Sequence, residues 1–86
     1  MSDDLKTRFE AAQADAKNLP SRPSNDDLLE LYALYKQGTA GDVSGNRPGL
    51  LDFVGGAKFD AWSELKGMDS ADAVARYVEK VNGLKG

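Results

Sequence analysis

The apolar residues of this chain recur every three or four positions in four separate segments, and this spacing restricts the fold more than any other feature. In the first segment the spacing is kept by Leu5, Phe9, Ala12, Ala16 and Leu19. No segment alternates apolar and polar residues, as a half-buried strand would. The pattern therefore predicts an all-α protein without a sheet.

Capping residues and helix breakers give the limits of the first two helices. Ser2 is a good N-cap residue for the first helix, and Pro20 ends it. A second helix is predicted over residues 26–37, stopped by Gly38 and Gly41. The two prolines that follow the first helix hold the segment between them extended. The link from the first helix to the second is therefore predicted to be short.

A long link separates the second helix from the third. Residues 38–53 read "GTAGDVSGNRPGLLDF", which is too long for a simple turn. The third helix is predicted over residues 53–66, with Gly67 after it, and the fourth begins at Asp69 or Ser70. We predict a four-helix bundle with a long crossover between helices two and three, in an up-down-down-up order. The short links predict that helices one and two, and helices three and four, are antiparallel neighbours.

Composition excludes several classes of function. The chain has 86 residues, which predicts one domain over residues 1–86, and it contains no cysteine and no histidine. Disulfides, thiolate or imidazole metal sites and a histidine base are therefore absent, so we expect neither a metal site nor catalytic residues. The net charge is −3, which disfavours a nucleic-acid partner.

No apolar run in the sequence is long enough to span a bilayer. The N-terminal stretch "MSDDLKTRFE" is acidic and lacks the apolar core of a signal peptide. These two features predict a cytoplasmic protein.

The second helix has an unusually wide apolar face. With Tyr32 at 0° and about 100° per residue, the non-polar arc spans roughly 220°, about twice the width of one core-facing stripe. Leu31 and Leu34 lie at one side of the arc, and Leu29 lies towards the other with Lys36. The opposite, polar side is formed by Asp26, Glu30 and Gln37. A helix with such an arc has two surfaces to bury.

Two interpretations fit this arc. Tyr32 and Tyr35 are either ordinary core aromatics, with Lys36 extending to solvent, or one wall of a pocket for a planar ring and an anion. Stacking of a base contributes about 1–3 kcal/mol. A charge-assisted hydrogen bond to phosphate contributes about 1.5–3 kcal/mol. Tyr77, in the apolar stripe of the fourth helix, has the same two interpretations.

A second feature suits an anion. The stretch "VGGAKFDAW" puts two glycines and Lys58 near a predicted helix start, where free N–H groups attract negative charge. The spacing is not that of a P-loop, and a mobile helix start with a solvated lysine fits equally well. Lys17, Arg22 and Arg47 are further scattered cations, each of which could simply be a solvated surface residue.

Three stretches resemble the acyl-CoA-binding protein family, and together they cover nearly the whole chain. They are "LYALYKQGTAGD", "RPGLLDFVGGAKFDAWSELKGM" and "DAVARYVEKV", and the spacing between them also agrees. The resemblance implies an intracellular carrier that binds medium- to long-chain acyl-CoA esters non-covalently, as a monomer and without a cofactor. It implies no enzymatic activity, and allows transient contact with membranes or acyl-CoA-using enzymes. The alternative is a helical protein-interaction module without a small-molecule ligand.

The resemblance also implies the site residues. Tyr32, Lys36 and Lys58 would hold the ribose 3′-phosphate, and Tyr77 would help to close the adenine site. The implied ligand-binding set is Lys17, Leu28, Leu29, Tyr32, Tyr35, Lys36, Lys58 and Tyr77. Within that set the leucines lie near the acyl tunnel and the others contact the head group.

The sequence departs from the family at several positions. Val54 and Gly56 stand where the family often has lysine. We therefore expect the phosphate contacts to be fewer, or to be supplied by Arg22 or Arg47. Gly38 also replaces a usual alanine near the end of helix two.

Overall fold

The computed structural model describes residues 2–86, and all the regular secondary structure in that range is helical. The helices are α1 Asp3–Ala16, α2 Asn25–Ala40, α3 Phe53–Ser63 and α4 Ser70–Leu84. Between residues 2 and 86 there is no strand. The predicted all-α class with four helices and a long second link is confirmed.

Helix α1 ends earlier than the prolines suggest. Its last residue is Ala16, so the prediction that it continues to Leu19 is wrong. The backbone tightens at this point, because Asn18 N donates to Asp15 O at 3.0 Å while the Asn18 side chain donates to Ala14 O at 3.1 Å. These bonds close the helix locally and leave Leu19 free to face a cavity described below.

Helix α2 continues past the glycine that was predicted to stop it. Gly38 is buried inside the helix, and the end comes at Gly41, whose φ of 81° lies in the left-handed region. A Cβ atom at Gly38 would lie 2.7 Å from Cγ2 of Val74 on α4. This glycine therefore serves close helix packing, and the predicted stop at Gly38 is wrong.

The contacts of α4 fix the directions of its neighbours. Lys80, in the last third of α4, lies 2.6 Å from Asp27 at the start of α2, so these two helices are antiparallel. Lys85, just after α4, lies 3.1 Å from Asp15 near the end of α1, so α1 and α4 are parallel.

The aligned contacts of α2 and α3 show that these helices run in the same direction. Lys58 Nζ lies 5.3 Å from the ring centre of Tyr32, and Lys36 Nζ lies 5.0 Å from the ring of Trp62. Both pairs advance by four residues on each helix. The predicted up-down-down-up order is therefore confirmed.

The prediction that α1 and α2, and α3 and α4, are neighbouring helices is wrong. Helix α4 packs between α1 and α2, and α3 packs on the other side of α2, whereas neither α1 and α2 nor α3 and α4 are close backbone neighbours. The reason lies in α4, whose continuous stripe is buried from both sides. Its buried members are Ala73, Val74, Tyr77 and Val81. The first and third links are long enough for another helix to lie between the two helices that each of them joins.

A buried amide ties the end of α2 to the second and third links. Gln37, predicted on the polar side, is 0 % exposed, so that prediction is wrong. Its Nε2 donates to Asp42 Oδ1 and to Met68 O, both at 2.9 Å. The same Asp42 oxygen accepts from Gly67 N at 2.8 Å. The Gly67 and Gln37 hydrogen bonds hold the pKa of Asp42 below its usual value.

We expect Gly38→Ala to destabilise the protein by on the order of 1 kcal/mol, because overpacking of Val74 outweighs the gain in helix propensity. In a Val74→Ala background the same substitution should become stabilising, since the space is then free. Urea unfolding of the four proteins measures both effects. A stabilising effect of Gly38→Ala in both backgrounds would contradict the close packing.

The stability of the protein should depend on the ionisation of Asp42. Because the folded pKa of Asp42 is depressed, its contribution to stability is present above about pH 4 and is lost as the pH falls through the folded value. The free energy of unfolding of Asp42→Asn should therefore lie below that of the wild type at neutral pH and converge with it in acid. Urea titrations at a series of pH values test this. A difference that stays constant down to about pH 2 would be inconsistent with it.

Candidate functional site

An apolar groove opens between the first half of α2 and the start of α3. Its volume is about 450 Å³. Its lining is mostly aliphatic and aromatic and includes two cations. The lining residues are Arg22, Asn25, Leu28, Leu29, Phe53, Val54, Ala57 and Lys58. We call this space the groove.

A second cavity lies on the other side of Leu28 and is walled by tyrosines. Its volume is about 270 Å³. The lining residues are Ala16, Leu19, Pro23, Leu28, Leu31, Tyr32, Tyr35 and Tyr77. We call this space the tyrosine cavity. Because Leu28 lines both spaces, they adjoin each other.

Two rings of the tyrosine cavity pack against Phe9. The Phe9 ring meets Tyr77 edge-on at 5.2 Å between centroids and lies 5.9 Å from Tyr35. Tyr77 is buried, and burial raises the pKa of its hydroxyl. Tyr35 is 39 % exposed. Tyr77 is thus both core and lining, whereas Tyr35 is not an ordinary core aromatic.

Two lysines lie over aromatic rings, and the first of these pairs joins a groove residue to a residue of the tyrosine cavity. Lys58 lies over Tyr32, and Lys36 lies over Trp62 one helical turn further along. The indole of Trp62 is fixed because its Nε1 donates to Gly41 O at 2.9 Å. Within residues 2–86 neither lysine forms a salt bridge, so both charges are available to an anion.

The wide apolar arc of α2 lets this one helix face the core and both cavities. Leu31 and Leu34 are buried in the core with α4, as predicted. Leu29 turns towards α3 and lines the groove, while Tyr32 lies between these two surfaces. One helix therefore contributes to the core, the groove and the tyrosine cavity.

The start of α3 is not the free anion site that its glycines suggested. Asp52 is the N-cap, and its Oδ1 accepts from Gly55 N at 2.8 Å. The helix is thus capped by its own carboxylate, and the expectation of free N–H groups fails for Gly55. Lys58, one turn further on, keeps its place in the groove.

Arg47 is occupied by a carboxylate on α3. Its guanidinium forms two bonds with Asp60, at 2.9 and 3.0 Å, and this pair lowers the pKa of the Asp60 carboxyl. A Cβ atom at Gly56 would lie 2.9 Å from Arg47 Nη2. Arg47 therefore lies across the glycine and does not replace the missing lysines. Arg22, by contrast, lines the groove.

The structure brings most of the predicted residues together. Leu28, Leu29 and Lys58 line the groove, and the three tyrosines line the tyrosine cavity together with Leu28. Lys36 lies one turn beyond Tyr32. Lys17 is exposed at the C-cap of α1, next to a lining residue but not among the lining residues themselves.

Several lining residues were not in the predicted set. In the groove these are Arg22, Asn25, Phe53, Val54 and Ala57. In the tyrosine cavity they are Ala16, Leu19, Pro23 and Leu31. Their places depend on how separate segments meet, so only two of them carried a signal in the sequence: Val54, as a departure from the family pattern, and Arg22, as a possible supplier of positive charge.

Within residues 2–86 no group of acidic side chains is placed to hold a metal ion. In the same range none of the helices is long and apolar enough to cross a membrane.

The fold and the site define a small four-helix protein with two adjoining cavities on α2. A sequence model of the family described as acyl CoA binding protein matches residues 6–81. The chain therefore belongs to the acyl-CoA-binding protein family.

The chain is also similar to individual proteins of this family. The chain is 52 % identical over 81 residues to an acyl-CoA-binding protein homologue of Manduca sexta, covering 93 % of this chain and 90 % of that protein. It is 50 % identical to a homologue of Caenorhabditis elegans, with 88 % of each chain covered. The crystal structure of acyl-CoA-binding protein 2 of Oryza sativa is similar at a TM-score of 0.88 and 42 % identity, covering 93 % of this chain and 89 % of that one.

The Arg47–Asp60 pair gives a testable consequence. In Arg47→Gln the pKa of Asp60 should rise towards the usual value of about 3.9, because the positive partner is gone. Carboxyl NMR titration measures the value. Asp27, which pairs with Lys80, is the internal control and should not change. A normal Asp60 pKa already in the wild type would rule the pair out.

Proposed function

We propose that this protein binds medium- to long-chain acyl-CoA esters non-covalently and acts as their intracellular carrier. The observation that carries the proposal is the junction at Leu28 of an apolar groove with a tyrosine-walled cavity. Lys58 lines the groove and Lys36 lies one turn beyond Tyr32, and within residues 2–86 neither forms a salt bridge. Such a junction matches a ligand with one apolar end and one aromatic, anionic end. Membership of the family supports the same ligand.

The tyrosine cavity suits the nucleotide end of the ligand. The rings of Tyr32, Tyr35 and Tyr77 offer faces for adenine, and stacking contributes about 1–3 kcal/mol per base. Lys36 and Lys58 would neutralise the 3′-phosphate, with Lys17 at the rim. Each charge-assisted hydrogen bond adds about 1.5–3 kcal/mol.

The groove suits the acyl chain. Leu28, Leu29 and Ala57 offer an apolar floor, and Phe53 and Val54 offer a wall at the open end. Removing apolar surface from water contributes about 25 cal/mol per Å², so a long chain binds more tightly than a short one. The affinity would thus come largely from the tail and the selectivity for CoA esters from the head group.

The role is one of binding rather than of catalysis. The sequence lacks histidine and cysteine, and the proposed contacts are ring faces, lysines and aliphatic side chains, none of them a nucleophile activated by a base. We propose a cytoplasmic, monomeric, single-domain carrier that needs no cofactor. It would exchange its cargo with membranes and acyl-CoA-using enzymes.

Removal of the head-group contacts should weaken binding. We expect Lys36→Ala and Tyr32→Ala each to raise the Kd for palmitoyl-CoA by about 10–100-fold, which corresponds to about 1.5–3 kcal/mol. Isothermal titration calorimetry measures the Kd, and circular dichroism checks that the helical content is unchanged. Lys6→Ala is the matched control, because Lys6 is exposed on α1 and lines neither cavity.

Two outcomes would contradict this proposal. Unchanged affinity in both site variants would remove the head-group assignment. A wild-type protein that ignores palmitoyl-CoA in calorimetry and carries no acyl-CoA in native mass spectrometry would favour a protein-interaction module instead.

A further inference from the structure

Four apolar side chains project into solvent at the start of α3. Leu50 is 84 % exposed, Leu51 90 %, Phe53 78 % and Val54 66 %. A single side chain of this kind on a surface needs no explanation, but four of them within five consecutive residues, with only the exposed Asp52 between them, form an apolar cluster. We call this cluster the apolar tip.

The apolar tip is held in place by backbone and capping bonds. Asp52 N donates to Gly49 O at 3.0 Å and closes a turn around the two leucines. The Asp52 side chain then caps α3 through Gly55. The leucines therefore project from an ordered turn, although they contribute nothing to the core.

The tip is continuous with the mouth of the groove. Phe53 and Val54 belong to both, whereas Leu50 and Leu51 belong to the tip alone. Arg22 and Lys58 stand on the groove walls, and within the described residues neither forms a salt bridge. An apolar projection flanked by two unpaired cations complements a surface of hydrocarbon and phosphate.

A second copy of the chain fits this surface less well. A large aromatic side chain buries about 150–250 Å², and because three of these four side chains are smaller aliphatic ones, the four together bury at most about 600 Å². A stable interface buries about 800 Å² on each partner. A lipid surface has no such requirement, since interfacial binding scales with the apolar area and adds the attraction of cations to lipid phosphates.

We propose that the apolar tip docks this protein on phospholipid membranes with the mouth of the groove towards the lipid. This inference rests on the proposed carrier function and names the surface that would serve it. An acyl chain leaving the bilayer would then enter the groove past Phe53 and Val54 without crossing water. The head group would follow into the tyrosine cavity.

Site-specific labelling tests the orientation. The chain has no cysteine, so Leu51→Cys accepts a single polarity-sensitive dye. Vesicles of phosphatidylcholine with a minor fraction of phosphatidylglycerol should shift the emission of this dye to the blue. The same dye on Glu10→Cys is the matched control, because Glu10 is exposed on α1, and among the described residues the backbones of α1 and α3 do not approach each other. Equal shifts at both positions, or none at position 51, would overturn the proposal.

Substitution of the leucines tests the energetics. Leu50→Ser with Leu51→Ser should reduce vesicle partitioning by about tenfold or more, because it removes the protruding apolar area. Leu50→Met with Leu51→Met should keep it. The Kd for palmitoyl-CoA in vesicle-free solution should stay within about twofold in both, since neither leucine lines a cavity.

The readouts separate the two proposals. If the carrier proposal is wrong, calorimetry of the wild type without vesicles shows no binding of palmitoyl-CoA. Failure of the docking surface appears as equal vesicle partitioning of the serine and wild-type proteins while palmitoyl-CoA binding is intact. A wild-type dimer in sedimentation that the serine variant dissociates would also overturn the docking proposal, in favour of a second copy of the chain.

Discussion

Helix α2 packs against α4 on one side and α3 on the other, and this double burial determines where every other element lies. Leu31 and Leu34 fill the core with α4, and Gly38 lets the two backbones approach where a Cβ would meet Val74. The opposite edge carries Leu29 towards α3. Between these two surfaces Tyr32 lies at the junction of the groove and the tyrosine cavity. The cavities are therefore a consequence of the helix packing, since α3 and α4 leave the first half of α2 partly uncovered.

Polar contacts hold the links around this packing. Gln37 is fully buried and joins Asp42 in the long crossover to Met68 before α4. Because a buried amide is costly without partners, this network specifies one arrangement of the two links. Further along the crossover, Arg47 reaches Asp60 on α3 through two bonds. The crossover is thus attached at Asp42 and at Arg47, and the two leucines of the apolar tip project from the ordered turn between Gly49 and Asp52.

The departures from the family pattern have a common structural setting. Gly56 leaves the space that the Arg47 guanidinium occupies, so a lysine there would compete with the Asp60 pair. Val54 replaces a charge with an apolar side chain at the edge of the tip. Compared with the lysines that the resemblance implies, these two positions carry no positive charge and contribute to a fixed crossover and an apolar surface. On the proposed function, Lys36, Lys58 and Arg22 supply the remaining charge near the cavities.

The sequence by itself determined the helices and the double role of α2, because helical periodicity and the width of an apolar arc are properties of neighbouring residues. Together with the resemblance, it also predicted the tyrosines and Lys58 that the structure brings together. It could not determine the neighbours, since α4 lies between α1 and α2 by virtue of shape and burial across distant segments. For the same reason it misplaced Gln37 and Gly38, whose roles exist only against Asp42, Met68 and Val74. The walls formed by Arg22, Leu19 and Phe53, and the occupation of Arg47 by Asp60, were decided by tertiary structure alone, because each requires side chains from segments that no local pattern connects.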